Sequence, residues 1–591
     1  MSIIIQIKQA VVQTIQSIYG ISIPIDQISI NETKAEFVGD YTLVTFSLTK
    51  VLGKKPDELA NEIGQHLVDS NSLFVSYNVV KGFLNVEISN TFYLDFLQQQ
   101  FQNTTFGNSE ANGKKVMVEY SSPNTNKPLH FGHLRNIFLG YSVAEILRAT
   151  GHEVIKANLI NDRGIHICKS MIAWKLFANN ATPTSSGIKG DHLVGDYYVK
   201  FNDVYKEEIA ALIQEGKTKE EAEKQAPIML QAQEMLRKWE AGDTETLQIW
   251  KEMNSWVYAG FDITYKLLGI DFDKTYYESE TYLLGKAIVE KGLADGVMYQ
   301  KEDKSIWIDL SSNGLDQKLL LRGDGTSVYM TQDIGTAVLK YQDYTMDNSV
   351  YVIGDEQNYH MQVLQLILEK LGEPVAKGLF HLSYGMVELP TGKMKSREGN
   401  VVDADDMANE MILIAAEKTT EHGKVTDFSQ DELNALYSTL GLGALKFYLL
   451  RVDPKKKMIF NPEESIDFHG FTGPFVQYTH ARICSILRKA NKEINQVEHS
   501  IGLSLHEKTL LKQLEQYPSI LLQSAKEFNP AVISIYLFNL AKEYNSFLVD
   551  HSILKAENED IQSCRIALST MVKNVLAHGL RLLGIQAPNK M

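Results

Sequence analysis

Apolar residues recur with two different periods along this chain. Across residues 56–67 they fall at helical spacing, with Asp57 expected as the N-cap after Pro56. Residues 75–80 and 82–88 read as strands, the second alternating cleanly. A small α+β domain is therefore expected over residues 1–110, closed by a polar, Gly- and Asn-rich stretch at 103–113. Residues 115–121 then read as a buried strand. A helix of about 17 residues from His133 should end before Gly151, and residues 154–160 form the next strand. Strand, helix and strand in one unit predict a parallel, doubly wound sheet. Residues 200–251 are rich in Glu, Lys, Ala and Gln and read as solvated helices, part of an insertion around 175–270. Strand signals return at 305–310, 349–353 and 380–386. From Asp405 onward nearly everything is helical, with long amphipathic periods such as Ile533, Tyr536, Leu537, Leu540 and Tyr544. The expected architecture is multidomain α/β. A Rossmann-like domain spans 114–403, a helical connection 404–460 and an all-α bundle 461–591.

Length and composition bound this picture without changing it. The 591 residues, 44% hydrophobic and 22% charged, suit about three or four globular domains. No apolar run is long enough to predict a membrane span, and the first residues lack a signal peptide's basic start and apolar core. Three scattered cysteines, Cys168, Cys484 and Cys564, offer neither a disulfide framework nor a Cys-only zinc site, so a cytoplasmic setting is expected. The net charge of −15 argues against a blanket nucleic-acid coat. From residue 461 to 591, however, 13 basic residues balance 13 acidic ones, so the whole deficit lies upstream. A polyanion would have to find local basic patches.

The first candidate chemistry lies between the strand at 115–121 and the helix that follows. The segment reads Ser121-Ser122-Pro123-Asn124-Thr125-Asn126-Lys127-Pro128-Leu129-His130-Phe131-Gly132-His133-Leu134-Arg135-Asn136. In an open α/β sheet this crevice takes ligands, and a helix N-terminus there favours phosphate. Gly132 removes a side chain where a nucleotide could approach, and His130 and His133 could both donate to one triphosphate. Spacing alone fits a metal pair or local caps equally well, but a zinc ion would need two more ligands and no nearby Cys or His cluster supplies them. A second segment, residues 388–402, carries Lys393-Met394-Lys395-Ser396-Arg397 between two glycines. It reads either as an exposed basic turn or as a cationic loop that closes over a triphosphate.

His130-Phe131-Gly132-His133 resembles the His-Ile-Gly-His signature of class I aminoacyl-tRNA synthetases. The longer string, with Ser-Pro-Asn, Lys-Pro and His-x-Gly-His-Leu-Arg, resembles the arginyl-tRNA synthetase family. Residues 393–397 are similar to its altered form of the Lys-Met-Ser-Lys-Ser signature. The resemblance implies an ATP-dependent ligase that activates L-arginine, with ATP accompanied by Mg²⁺, and loads it onto the 3′-terminal adenosine of a tRNA. It further implies that tRNA must bind before the adenylate forms. Lys127, His130, His133 and Lys395 would be catalytic, and His130, Gly132, His133, Lys395, Ser396 and Arg397 would hold ATP. A monomer without a dedicated metal cage is expected.

An arginine side chain is a flat fork of five donors and calls for carboxylates in fixed geometry. Glu119, Asn124, Tyr329, Asp333 and Gln357 match the family's arginine-binding positions. Tyr329 and Asp333 are four apart and could share one helical face. Residues 161–164, Asn-Asp-Arg-Gly, are similar to the family's Gly-Asp-Trp-Gly element but differ at two positions, and no role is assigned to them. In the bundle, Tyr478 and Arg482 offer an aromatic face and a base to unpaired RNA, or simply dock a helix. The closing Pro-x-x-Met, ending at Met591, resembles the end of the family's anticodon-binding domain. Gly39-Asp40-Tyr41 and Gly82-Phe83-Leu84 carry a resemblance to its N-terminal, tRNA-contacting domain.

Overall fold

The computed structural model describes residues 2–34, 36–390, 402–421 and 428–591. Its centre is a five-stranded parallel sheet. The strands are β1 (Lys115–Glu119), β2 (Glu153–Ile160), β3 (Lys274–Tyr277), β4 (Asn348–Gly354) and β5 (Leu379–Tyr384), in the order β5-β4-β1-β2-β3. Register runs straight across, with Val118 opposite both Val350 and Lys156. The order reverses beside β1, so the crevice between β1 and β4 is the switch point at which such sheets bind ligands. Helix α1 (Phe131–Ala149) connects β1 to β2, and α2 (Tyr329–Tyr344) precedes β4. The fold class is the one expected, with the parallel sheet at its heart.

Helix α1 lies unusually close to the strand end it follows. A Cβ on Gly140 would sit 2.3 Å from the Cβ of Tyr120, which is itself fully buried. This close approach lets Asn136 bridge the switch point. It accepts from the Ser121 N–H at 2.6 Å and donates to the Val352 carbonyl of β4, also at 2.6 Å.

Two local expectations are corrected. Asp57 does not cap its helix, because Lys55 holds the N-cap position before Pro56. Asp57 accepts from the Gly82 N–H at 2.7 Å and so fastens the helix Pro56–Ser70 to the adjoining hairpin. The strand signal at 305–310 condenses to Ile306–Ile308, in a separate antiparallel sheet with Tyr299–Gln300 and Lys318–Leu321. The helical insertion is less solvated than its composition implies. Phe201, Ile228, Met235 and Phe261 are buried among its helices.

The N-terminal domain is a four-stranded antiparallel sheet backed by Ile3–Tyr19 and Pro56–Ser70. It docks on the C-terminal bundle, where the nearly buried Asp40 pairs with Lys508 at 2.8 Å and also with Lys512. Glu515 accepts from the Ile3 N–H at 2.7 Å. Helices Gly473–Ala490, Leu505–Glu527, Ala531–Asp550 and Glu559–Leu582 form the bundle. No helix among the described residues is long and apolar enough to cross a membrane.

Gly140→Ala should destabilise the domain by about 1–3 kcal/mol through overpacking. Urea unfolding will show this as a lower midpoint at unchanged slope; an unchanged midpoint would mean that the helix can lift from Tyr120 at no cost.

Candidate active site

The backbone after β1 turns sharply. Ser121 and Ser122 hold φ of 73° and 44°, which ends the strand at Glu119 and swings the chain toward the crevice. Polar side chains hold this turn in place. The Ser121 hydroxyl meets the Tyr265 hydroxyl at 2.7 Å, and the Ser122 N–H donates to Asn158 at 3.0 Å. Pairing with β2 then resumes for a moment. Thr125 N–H donates to Asn161 O at 3.1 Å, and Asn161 N–H donates to Pro123 O at 2.9 Å. This leaves Asn124 exposed at the rim.

At the foot of α1 the two imidazoles lie 3.8 Å apart, centroid to centroid, with their planes tilted by 39°. His130 is the N-cap residue, and its backbone N–H donates to Nδ1 of His133 at 3.0 Å. The Nδ1 of His130 is buried with no protein partner. Burial pushes the His130 pKa down to about 4, and the nearby Lys127 adds to the effect. His133 is driven well below its usual value for the same reasons, with His130 itself contributing. Both rings are therefore neutral hydrogen-bonding groups near pH 7. Lys127 is also depressed, by burial alone. A Cβ on Gly132 would come within 3.0–3.1 Å of the His130 ring, so the glycine keeps room for that ring. A Cβ on Gly195 would meet Pro128 at 2.7 Å; this glycine lets the insertion helix Gly190–Gln214 close against the loop.

Arg135, in the same string, faces the other way. It is 1% exposed and donates to the carbonyls of Gly385 at 2.5 Å and of Asp453 and Pro454 at 3.3 Å. It ties α1 to the chain beyond β5.

Lys395, Ser396 and Arg397 lie outside the described residues. The chain that follows them is laced to the first loop. Phe131 N–H donates to Val402 O at 2.9 Å, Ala404 N–H donates to Leu129 O at 3.0 Å, and His130 pairs with Asp403 as an antiparallel bridge. Behind this bridge is a dense ion-pair network. His192 Nε2 lies 3.2 Å from Asp403 and 3.5 Å from Asp405. Lys189 reaches Asp405 at 2.6 Å and the fully buried Asp191 at 3.1 Å. His192, Asp403 and Asp405 could surround a metal ion. The two cations already present neutralise these carboxylates, so the geometry reads as an anchor that joins the insertion to residues 402–405. Hydrogen bonds to Asp403 and Asp405 raise the His192 pKa to about 10. Burial raises Asp405, but hydrogen bonds from His192, Lys189 and Thr264 outweigh it and hold Asp405 near about 2.

A group of acidic side chains gathers at the C-terminal ends of the three adjacent strands β1, β2 and β3. Glu119 ends β1 and is 5% exposed. Its carboxylate pairs with Lys340 of α2, which is 1% exposed. Burial lowers the Lys340 pKa, but Glu119 outweighs it, so the ammonium stays charged. Asp162, just past β2, is fully engaged. It accepts from Ser279 N–H at 2.8 Å, Ser279 Oγ at 2.7 Å and the Tyr258 hydroxyl at 2.9 Å. It therefore fixes the turn after β3, where Glu278 sits. Burial raises the Glu278 pKa to about 7; Arg163 opposes the rise, and Asp162 and Asp333 add to it. Arg163 is held by Glu240 at 3.1 Å and by the Tyr282 ring 3.9 Å from its guanidinium carbon.

From α2 come Tyr329, the helix's first residue and 74% exposed, and Asp333, one turn on. Asp333 meets His360 Nε2 at 2.6 Å, and this contact raises the His360 pKa. Gln357, just past β4, is exposed at the mouth. Sequence reasoning missed Glu278, Lys340 and His360. A carboxylate immediately after a parallel strand is the signal that could have found Glu278.

In the bundle, Tyr478 is half-buried and Arg482 is exposed, both on Gly473–Ala490. Arg482 donates to Asn545 at 3.0 Å. The chain's last residues run along this helix, with His480 at 2.9 Å from Pro588 O and Arg488 at 3.0 Å from Asn589 O. Met591 is partly buried and packs against the core.

Comparison with known proteins agrees with this geometry. A family model for "tRNA synthetases class I (R), catalytic domain" matches residues 96–461, which places the central domain in class I. Models for an arginyl tRNA synthetase N-terminal domain and a DALR anticodon-binding domain match residues 5–88 and 476–591. A protein of Amoebophilus asiaticus named arginine–tRNA ligase is 52% identical over 100% of both chains. One of Flavobacterium psychrophilum with the same name is 53% identical over 96% of each. The solved arginyl-tRNA synthetase of Thermus thermophilus superposes with a TM-score of 0.80 at 25% identity, over 99% of both chains. That of Plasmodium falciparum, at 19% identity and a TM-score of 0.76, shares the fold over 100% of this chain and 99% of its own. The chain belongs to the arginyl-tRNA synthetase family.

His192 is raised from an unfolded value near 6.5, so its contribution to stability is complete below pH 6.5 and lost as pH rises toward about 10. The stability gap between wild type and His192→Gln should therefore narrow between pH 6.5 and 10. A gap that stays constant in chemical denaturation over that range would rule out the ion pair as its source.

Proposed function

We propose that the chain is an arginine–tRNA ligase whose two half-reactions share the crevice between β1 and β4. The carboxylate of L-arginine attacks the α-phosphate of ATP, giving arginyl-adenylate and releasing pyrophosphate. A ribose hydroxyl of the tRNA's terminal adenosine then takes the arginyl group and releases AMP. The observation that carries this reading is the acidic recess next to the paired histidines, because it suits a flat cation beside a polyanion. Glu278 and Asp333 face the guanidinium, while Tyr329, Asn124 and Gln357 line its approach. Glu119, already neutralised by Lys340, orients the polar end of the substrate. What supports this reading is that Glu119 ends β1, Glu278 follows β3 and Tyr329 and Asp333 lie on the first turns of α2.

At the ATP side, the positive end of α1 and the neutral imidazoles of His130 and His133 receive the phosphates. Their uncharged rings donate hydrogen bonds without the desolvation cost of an imidazolium. Lys127 supplies charge, with Lys395, Ser396 and Arg397 as further phosphate contacts. Mg²⁺ enters with ATP as substrate, because the nitrogen donors of this loop suit phosphate oxygens and not a hard cation. Positioning and charge compensation do most of the work. Tyr478, Arg482 and Met591 read the tRNA at one face of the bundle. The domains run over 1–110, 114–403, 404–460 and 461–591. We read the enzyme as a cytoplasmic monomer; its three cysteines are free and buried.

Pyrophosphate exchange should require both arginine and tRNA. Exchange without RNA would indicate a nucleotidyltransferase, and tRNA binding without turnover would indicate a synthetase-like RNA-binding protein. Asp333→Ala should raise the arginine KM at least tenfold more than the ATP KM, and equal effects would remove Asp333 from the recess. His133→Ala should mainly slow adenylate formation, and unchanged single-turnover rates would exclude that role.

The raised Glu278 predicts a pH effect. Its carboxylate is protonated below about pH 7, so arginine affinity should fall as pH drops from 8 to 6. Glu278→Gln should flatten that dependence, as measured by the arginine KM across the range.

A further inference from the structure

Where the catalytic domain, the connecting helix and the last helix of the bundle meet, the structure contains a cavity of about 290 Å³. Three cations line it. Lys266 ends the insertion helix Thr244–Leu268, Lys446 lies on Gln430–Leu450 and Arg581 lies on Glu559–Leu582. Ser438, Thr439 and Gln586 add polar groups, and no described lining residue is a carboxylate. We propose that this junction is a binding site for a small tetrahedral oxyanion of the phosphate class, at a place separate from the ATP crevice.

Charge is the first support. Two helix C-termini converge here, each equivalent to about half a negative charge. Set against three cations, they leave roughly two positive charges uncompensated. The second support is Lys446 itself. It is 4% exposed and, among the described residues, its one hydrogen bond goes to the Gly584 carbonyl at 2.5 Å. An ammonium has three protons to donate, so two remain for a ligand. Burial alone pushes its pKa down to about 8. A buried cation without a counter-ion is costly, and an oxyanion in the cavity would offset that cost. The ring of Phe138 on α1 lies 5.6 Å from the Lys446 ammonium, so the site backs directly onto the helix that carries His133 and is capped by His130.

A phosphate oxyanion can arrive free or as part of an RNA backbone. The test is isothermal titration of the full-length protein with inorganic phosphate at constant ionic strength, repeated with saturating tRNA. Wild type should bind phosphate, and Lys446→Met should weaken that binding at least tenfold. Arg581→Gln, at an exposed position, should also weaken it at least tenfold and guards against a folding defect in the first variant. Loss of phosphate binding on adding tRNA would assign the pocket to a backbone phosphodiester, and retention would assign it to a free anion. No binding in wild type, or binding within twofold of wild type in both variants, overturns the proposal.

Discussion

Everything at the crevice follows from parallel strands that end along one edge. Because β1, β2 and β3 stop side by side, Glu119, Asp162 and Glu278 are brought together from segments up to 159 residues apart. α2 adds Asp333. Gathering like charges out of water is unfavourable, and each carboxylate has a different remedy. Glu119 has Lys340, Asp162 has two hydroxyls and a backbone N–H, and Asp333 has His360. Glu278 has the nearby charge of Arg163, which does not offset its burial, and its proton affinity rises accordingly. A guanidinium entering the recess would relieve the strain that the fold imposes there.

At the foot of α1 the same burial has the opposite effect. Dry surroundings hold His130 and His133 neutral, and the helix terminus supplies positive potential from fixed backbone dipoles. The acidic group and the foot of α1 therefore differ in polarity. The chain between them makes the strained turn at Ser121–Ser122, which hydrogen-bonds to Asn136, Asn158 and Tyr265.

Much of this was legible in the sequence, for identifiable reasons. The βαβ unit showed in period changes and in the glycine that follows α1. The loop from Asn124 to His133 showed because its residue types suit a helix N-terminus after a strand. What stayed hidden is relational. Glu278 looks like any surface glutamate until β3 is placed beside β2. Lys340 sits on a helix and gives no sign that it neutralises a residue 221 positions earlier. Arg135, within the most recognisable string, turned out to hold backbone carbonyls. Asp57 read as a cap because capping is local, yet its partner Gly82 belongs to a hairpin. Short-range patterns declare themselves in one dimension, and long-range pairings do not.

The docking of the first domain on the last has a temporal consequence. Asp40 finds Lys508 and Lys512 only after some 470 intervening residues have been made. At about 5–20 residues per second, that is a wait of roughly 25 to 95 s on the ribosome. During that interval a carboxylate shaped for burial, and the apolar surface around it, remain open to water and to other chains.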